Sequence, residues 1–172
     1  MAVLPIIKAP DPILKKHCVP VEVVDDEIRT LMDDMLETMY VAPGVGLAAP
    51  QVSVHKRVIV VDTSRGDTDR SPIQMADPEL IESSDNLAVY DEGCLSFPDQ
   101  YAEVERPAKV RVRYLDYDNE VQEIEAEGLL STCIQHEMDH LDGKLFVDHI
   151  SMLKRNIILR KMSKLKKTEA LS

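Results

Sequence analysis

The sequence predicts an α+β fold in one domain that spans residues 1–172. Three observations carry this prediction: a helical pattern comes first, several short strand patterns follow, and two helical patterns close the chain. Helices and strands that are segregated in this way are typical of α+β proteins. With 172 residues, of which 44% are hydrophobic, the chain suits one core, because two domains would each be small.

The first helix is predicted over residues 25–40. Its apolar side chains recur at intervals of three and four residues, which places them on one face: Ile28, Leu31, Met32, Met35, Leu36 and Met39. Asp25 or Asp26 can cap its start, and the turn signal at residues 43–44 ends it. The next segment, GVGLAAPQ at residues 44–51, is rich in Gly and Ala, so we expect a loop that another part of the molecule approaches closely.

Short strands are predicted in the middle of the chain. The β-branched run RVIVVD at residues 57–62 is typical of a buried strand, and apolar and basic residues alternate over residues 109–114. Shorter candidates lie at residues 74–76, 87–90, 101–105 and 121–126.

Two helices are predicted toward the C-terminus. The first runs from about Gly128 to Leu141 and stops at Gly143, which suits the left-handed residue after a helix. The second begins after a Ser151 cap and forms a basic helix at about residues 151–168. Its apolar side is expected to pack on the body and consists of Met152, Leu153, Ile157, Met162 and Leu165.

Charge is distributed unevenly along the chain. The net charge is −11, but residues 151–172 carry seven basic residues and one acidic residue. The acidic body should repel nucleic acid, so no DNA partner is expected, whereas the basic helix could be attracted to RNA.

Composition also indicates the cellular compartment of the protein. The three cysteines are odd in number and form no CxxC pair, which favours reduced thiols in the cytoplasm over a disulfide framework. The N-terminus has no basic stretch that leads into a long apolar run, and no apolar segment reaches 18 residues, so neither a signal peptide nor a membrane span is predicted.

The helix predicted from about Gly128 to Leu141 carries a chemical motif. Residues His136–His140 read HExxH, and residues four apart on a helix lie about 5–6 Å apart at Cβ. Both histidines can therefore bind one metal ion. The alternative is a surface helix on which two polar residues face solvent.

Spacing alone does not supply the third ligand. In one group of zinc peptidases the motif continues as HExxHxxGxxH, but Phe146 stands here in place of the third histidine. The only glutamate after the motif is Glu169, in the charged tail. Asp142, Asp148 and His149 lie just past the helix at spacings that do not recommend them.

The cysteines are the other candidates. Cys133 lies seven residues before His140, about 10.5 Å along the helix axis, so it cannot join both histidines on an ion whose bonds are about 2.0–2.3 Å. Cys133 and Cys18, which follows His17, are better explained as structural thiols. Cys94 is left, on a Gly-containing turn that can present sulfur and backbone N–H together.

Three segments together resemble a known family. GVGLAAPQ (residues 44–51), EGCLS (residues 92–96) and QHEMDH (residues 135–140) are similar to the three signature segments of bacterial peptide deformylases, and the pattern resembles the Gram-negative type. The likeness extends beyond these motifs and covers most of the chain. It implies short antiparallel strands packed around a central HExxH helix, with a C-terminal helix. It also implies hydrolytic removal of the N-formyl group from the formyl-methionine of new polypeptides, which releases formate.

The resemblance also assigns chemical roles. The resemblance implies that Cys94, His136 and His140 are the three metal ligands. Three protein ligands leave a fourth coordination position open, as a catalytic metal site requires. Glu137 matches the residue that transfers protons to and from the reacting groups. The Gln51 side-chain amide and the Leu95 backbone N–H match the donors to the developing oxyanion.

Substrate-binding residues follow from the same likeness. Val45, Gly46 and Gly93 match backbone groups that hold an extended peptide, and Leu129 and Cys133 match the wall of the methionine pocket. Two positions depart from the family pattern, namely Tyr101 in place of an arginine and Thr132 in place of an aliphatic residue.

The implied cofactor is one Fe²⁺ per chain, which Zn²⁺, Ni²⁺ or Co²⁺ can replace, although a Cys and two His suit zinc equally well. The implied partners are N-formyl-Met nascent peptides and, through the basic C-terminal helix, the ribosome. Two other functions fit HExxH alone. One is a zinc endopeptidase, whose third-ligand signatures are missing here. The other is a non-catalytic metal-binding module, which would leave Glu137 and Gln51 without a role.

Overall fold

A computed structural model describes residues 2–64 and 69–171. Within these residues the order of helices and strands confirms the α+β prediction. The helices are α1 (Asp26–Val41), α2 (Gly128–Leu141) and α3 (Met152–Ala170). The strands are β1 (Gly46–Ala48), β2 (Val58–Val61), β3 (Ile73–Ser83), β4 (Leu87–Cys94), β5 (Phe97–Pro107), β6 (Lys109–Leu115) and β7 (Val121–Glu127). Short 3-10 helices cover Pro12–Lys15, Ala49–Val52 and Phe146–His149.

The strands form two antiparallel sheets. The larger sheet has five strands in the order β1-β2-β3-β6-β7, and β4 and β5 form a separate hairpin. The strand candidates at residues 74–76, 87–90 and 101–105 all lie inside longer strands. Strand β3 was hard to predict at full length because its second half is polar and exposed. Glu82 there pairs with Arg111 of β6 instead of entering the core.

Helices α1 and α2 cover opposite faces of the five-stranded sheet. Successive residues of a strand point to opposite faces, and the fully buried β2 follows this rule. Ile59 and Val61 pack in the cluster that contains Ile134 of α2. Val58 and Val60 pack in the cluster of α1 and its neighbours. Helix α2 also contacts the β4–β5 hairpin, so strands of both sheets surround it, as predicted.

Local capping explains where the helices begin and end. The Asp25 carboxylate accepts a hydrogen bond from the Ile28 amide at 3.0 Å, and the Ser151 hydroxyl accepts one from the Lys154 amide at 3.2 Å. After α2 the chain turns at Gly143, whose φ of 74° lies in the left-handed region that favours glycine. These three predictions are confirmed.

The prediction of a loop over residues 44–51 is wrong. Residues 46–48 form β1, residues 49–52 form a 3-10 helix, and all of them are buried. The small side chains serve close packing against α2, because a Cβ atom at Gly46 would lie 2.9 Å from both Cys133 Sγ and Glu137 Cγ. The expected close approach is therefore present, but it occurs at a strand.

The predicted apolar face of α3 is wrong in part. Ile158 and Met162 are the buried side chains of this helix, and they pack in a third cluster that contains Phe97, Val104 and Phe146. Met152, Leu153, Ile157 and Leu165, which were expected on the body, are exposed. Helix α3 packs on the body mainly through Ile158 and Met162, which lie four residues apart on one side of the helix, with Leu159 partly buried beside them.

Among the described residues, no helix combines the length and apolar character that are needed to cross a lipid bilayer.

Candidate active site

Three side chains of types that can hold a metal ion converge between α2 and the β4–β5 hairpin. The Sγ atom of Cys94 and one ring nitrogen each of His136 and His140 lie within 4.8 Å of one another. The histidines are one helical turn apart on α2, and Cys94 ends β4 at a register shift after Gly93. This irregularity directs the thiol toward the helix. The structure therefore brings together the three residues that the resemblance assigns as ligands.

The surroundings of these atoms suit a bound cation. His136 Nδ1 lies 2.9 Å from a Glu92 carboxylate oxygen, so its other ring nitrogen is directed toward the cluster. Burial lowers the pKa of His140 well below its ordinary value, which keeps the imidazole neutral, as a ligand must be. Oε1 of Glu137 is buried without a hydrogen-bond partner among the described residues and lies 3.9 Å from Nε2 of His140. One thiol and two imidazoles fit Fe²⁺ or Zn²⁺.

A hydrogen-bonded network of charged side chains contacts His136 through its Nδ1 atom. Arg106 donates two hydrogen bonds to the Glu92 carboxylate, at 2.7 and 3.0 Å, and a third to Asp139 at 2.8 Å. Asp139 also lies 2.8 Å from Nε2 of His149. Arg106 and Glu92 are both buried, and bidentate pairing of this kind fixes orientation as well as charge. The network therefore holds the His136 ring in one orientation.

Glu137 is the acid–base candidate, and its environment suits that role. The side chain is buried, and desolvation raises the pKa of its carboxyl to about 7. Cys133 lies one helical turn earlier, and burial raises the pKa of its thiol well above the ordinary value. Cys133 is therefore a neutral thiol, and its Sγ atom lies 3.5 Å from the Val45 carbonyl oxygen.

Hydrogen bonds hold both the oxygen and the nitrogen of the Gln51 side-chain amide. Its Oε1 accepts a hydrogen bond from the Ala48 amide at 2.9 Å, and its Nε2 donates to Ser96 Oγ at 3.0 Å and lies 3.5 Å from Cys94 Sγ. Ser96 in turn donates to the Ile7 carbonyl at 2.6 Å. The amide N–H₂ group is thus oriented toward the thiol at the edge of the cluster.

A cavity of about 670 Å³ opens above these groups. Seven of the predicted site residues line it: Val45, Gly46, Gln51, Gly93, Cys94, Leu95 and Glu137. Tyr101 lines it too, and its ring lies over Gly93, its register partner in the hairpin.

The other predicted contacts lie outside the lining of this cavity. Leu129 is 46% exposed on the first turn of α2, and Cys133 is buried behind Gly46. Thr132 is also buried. Their assignment to the methionine pocket stays a prediction.

Several supporting residues were not predicted from the sequence. Glu92 and Ser96 are the first and last residues of the EGCLS segment, so their proximity to Cys94 was a usable signal. Arg106 carried no local signal. Phe146 stacks on the His136 ring, with centroids 6.1 Å apart, at the position where other HExxH proteins have a third histidine.

The fold and the site together define a class of protein. An HExxH helix between two antiparallel sheets, with a cysteine as the third candidate ligand and a buried glutamate beside an open cavity, is the arrangement of a metal-dependent hydrolase.

Comparisons with known proteins identify the family. The sequence model described as polypeptide deformylase matches residues 3–156. The chain is 55% identical to a peptide deformylase of Mesorhizobium japonicum over 170 residues, which cover 99% of this chain and 97% of that protein. It is 56% identical to a peptide deformylase of Phenylobacterium zucineum over 164 residues, which cover 95% of this chain and 97% of that protein. This chain belongs to the polypeptide deformylase family.

Solved structures agree with this result. The crystal structure of peptide deformylase from Ehrlichia chaffeensis superposes with a TM-score of 0.93 at 38% identity and covers 98% of this chain and 99% of that chain. A second structure of the Ehrlichia chaffeensis protein, in complex with actinonin, superposes with a TM-score of 0.89 at 39% identity and covers 95% and 98% of the two chains. The protein is therefore an enzyme, a metal-dependent hydrolase that removes the N-formyl group from nascent peptides.

Proposed function

We propose that Cys94, His136 and His140 hold one Fe²⁺ ion, and that Glu137, Gln51 and Leu95 carry out the deformylation chemistry beside it. The observation that carries this proposal is the convergence of the three donor atoms within 4.8 Å at the cavity that Glu137 lines. When bound, the ion supplies Lewis-acid chemistry, which makes a water molecule acidic enough to react near neutral pH.

Glu137 transfers the protons. Its pKa of about 7 lies near the operating pH, so the carboxylate can accept a proton from the attacking water and later deliver it to the leaving amine. Its buried, unpaired Oε1 leaves an acceptor available for this step.

Gln51 and Leu95 stabilise negative charge on the formyl oxygen. The Gln51 amide is held by Ala48 and Ser96, so it is preorganised as a donor. Leu95 follows Cys94 in the chain and lines the same cavity, which makes its backbone N–H the second donor.

The substrate peptide binds in an extended form. Strand β1 is the edge of the five-stranded sheet, and an edge strand can pair with an added peptide strand. Val45 and Gly46 belong to this edge, and Gly93 lies in the same cavity lining. Leu129 and Cys133 are proposed to contact the methionine side chain.

Three substitutions test the residue roles. Glu137→Ala should keep the metal and lose hydrolysis of formyl-Met-Ala-Ser by several orders of magnitude, because only proton transfer is removed. Cys94→Ala should release the metal, whereas the control Cys133→Ala should retain it. Formate release and metal analysis on the same samples decide the outcome. Full turnover by Glu137→Ala, or metal loss from the Cys133 variant alone, would overturn these assignments.

The identity of the ion needs its own test, because the ligand set suits both iron and zinc. Fe²⁺ beside a thiolate is sensitive to oxygen. Anaerobically prepared iron enzyme should therefore lose activity in air faster than the same protein loaded with Ni²⁺ or Co²⁺. Equal lifetimes would argue against iron as the labile component.

We also propose that the whole chain is one cytoplasmic catalytic domain and that α3 docks on ribosomal RNA. Six basic residues of α3 are exposed in the structure: Lys154, Arg160, Lys161, Lys164, Lys166 and Lys167. Such a surface binds phosphates in a salt-dependent way. Because Ile158 and Met162 are buried, charge reversal is a better test than truncation.

The variant Lys161→Glu/Lys164→Glu/Lys167→Glu should lose salt-sensitive binding to purified ribosomes and keep its turnover of a short formyl peptide. If the wild-type protein does not sediment with ribosomes at low salt, the docking proposal fails, whereas the deformylase proposal stands.

A further inference from the structure

The catalytic cavity continues into a second depression. This depression, which we call the α3 groove, has a volume of about 310 Å³ and lies between the N-terminal segment and α3. Ile6 and Lys8 line both the catalytic cavity and the α3 groove, so the two spaces meet at these residues. The opposite wall of the groove is formed by α3, through Met162, Leu165, Lys166 and Glu169.

A polypeptide substrate extends beyond the catalytic cavity. Only its first residue carries the formyl group, and an extended chain advances about 3.3 Å per residue. The fourth residue therefore lies roughly 10 Å or more from the reacting carbon. From that point the chain must run along the surface beside the cavity.

We propose that the α3 groove binds the part of the nascent peptide that follows its third residue, an inference that rests on the proposed function. Two features suit an extended peptide of mixed sequence. Apolar side chains stand on both walls, Ile6 on one and the half-exposed Leu165 on the other. Lys8 and Glu169 form an exposed pair at 3.8 Å across the groove, and such a pair exchanges its contact for polar contacts with a ligand at little cost.

Another depression competes for the same role. It has a volume of about 370 Å³, shares Pro98 and Asp99 with the catalytic cavity, and reaches Leu165 from the other side of α3. It too has apolar residues on both walls, Pro98 on one and Met162 and Leu165 on the other. The α3 groove is the more enclosed of the two, so a bound peptide would bury more of its surface there. Because Leu165 lines both depressions, cross-linking is needed to separate them.

Peptide length provides the kinetic test. Wild-type enzyme should show a KM for a formyl octapeptide that begins Met-Ala-Ser roughly fivefold below its KM for formyl-Met-Ala-Ser, as one buried leucine contact supports. Leu165→Arg should remove this difference by blocking the groove. The control Leu153→Arg places the same substitution on an exposed part of the same helix and should preserve it. Equal KM values in the wild-type enzyme, or a length effect that survives Leu165→Arg, would overturn the proposal.

Cross-linking tests the path without any substitution in the α3 groove. A catalytically slow Glu137→Ala protein is mixed with the octapeptide that carries benzoylphenylalanine at its sixth residue, and the product is mapped by mass spectrometry. Attachment within residues 6–11 or at Lys166 or Glu169 supports the α3 groove. Attachment at Gln100 or Lys164, or on α1, overturns it. If the wild-type enzyme released no formate even from the tripeptide, the proposed function itself would fail, which is a separate result.

Discussion

A methyl group at position 46 should reduce catalysis sharply while the metal stays bound. The Cβ atom of Gly46→Ala would lie 2.9 Å from Glu137 Cγ and closer still to the Glu137 carboxylate, whereas ordinary contact begins near 3.4 Å. Cys133 Sγ, also at 2.9 Å, blocks movement of the new methyl to that side. The Glu137 carboxylate must therefore shift by between about 0.5 and 1 Å, because the backbone on one side and α2 on the other are closely packed.

A misplacement of about 1 Å costs on the order of 100-fold in rate. We expect kcat for formyl-Met-Ala-Ser to fall by roughly that factor, with overpacking costing about 1–3 kcal/mol of stability. Formate release, metal content and urea unfolding measure the three quantities on one sample.

Gly44→Ala is the matched control, because the three atoms nearest to the new Cβ all belong to the side chain of Leu95, which can rotate away. It should retain most of its activity. The reasoning would be refuted if Gly46→Ala kept more than a third of the wild-type kcat, or if the metal were lost along with the activity.

Three further predictions concern stability. Arg106→Met should destabilise the fold by about 3–5 kcal/mol in urea unfolding, because it removes the buried cation that bridges the Glu92 and Asp139 carboxylates. Met162→Ala should cost about 2–5 kcal/mol in the same assay, since this side chain is 1% exposed, whereas Leu153→Ala on the solvent side of α3 should cost little. The third prediction concerns acid: burial opposes ionisation of Asp62, but its hydrogen bonds prevail and hold its pKa below the ordinary 3.8. Stability from this carboxylate is present above about pH 4 and is lost as pH falls through its lowered pKa, so Asp62→Asn should flatten the acid limb of a stability curve against pH.

Each of these predictions has a clear contrary result. A control substitution, Arg113→Met, breaks only an exposed ion pair and should change stability little, so equal losses at Arg106 and Arg113 would contradict the first. Equal losses of stability in Met162→Ala and Leu153→Ala would contradict the second, because α3 would then not pack through Ile158 and Met162. A wild-type acid limb as shallow as that of the Asp62 variant would contradict the third.

Features with local causes could be predicted from the sequence. The limits of α1 and α2 and the cap at Ser151 depend on residues within a few positions of each helix end, and these were predicted correctly. The pairing of His136 with His140 follows from helical geometry alone. Cys94 required both elimination and the family resemblance, because a hairpin brings it to the helix.

Features that depend on distant contacts could not be predicted in this way. Strand β1 consists of Gly, Leu and Ala, none of which is β-branched or aromatic, and it becomes a strand only because β2 pairs with it. The face of α3 that is buried depends on where Phe97 and Phe146 lie. Arg106 meets Glu92 across the hairpin and Asp139 on α2, and no sequence pattern marks such a partner.

The order in which the chain is made bears on the proposed metal site. Its proposed sulfur ligand is at residue 94 and its proposed nitrogen ligands are at residues 136 and 140. Gln51 is hydrogen-bonded to Ser96, which donates a hydrogen bond to the N-terminal segment at Ile7. A ribosome must therefore translate about four-fifths of the protein before the last proposed ligand exists. The N-terminal segment at Ile7 cannot form its hydrogen bond to Ser96 until the β4–β5 hairpin has been made. Contacts between residues this far apart in sequence form late, because closing a long loop costs conformational entropy before the contacts can stabilise the fold. A copy that is shorter than about four-fifths of the chain therefore cannot assemble the proposed metal site and cannot act on other nascent proteins.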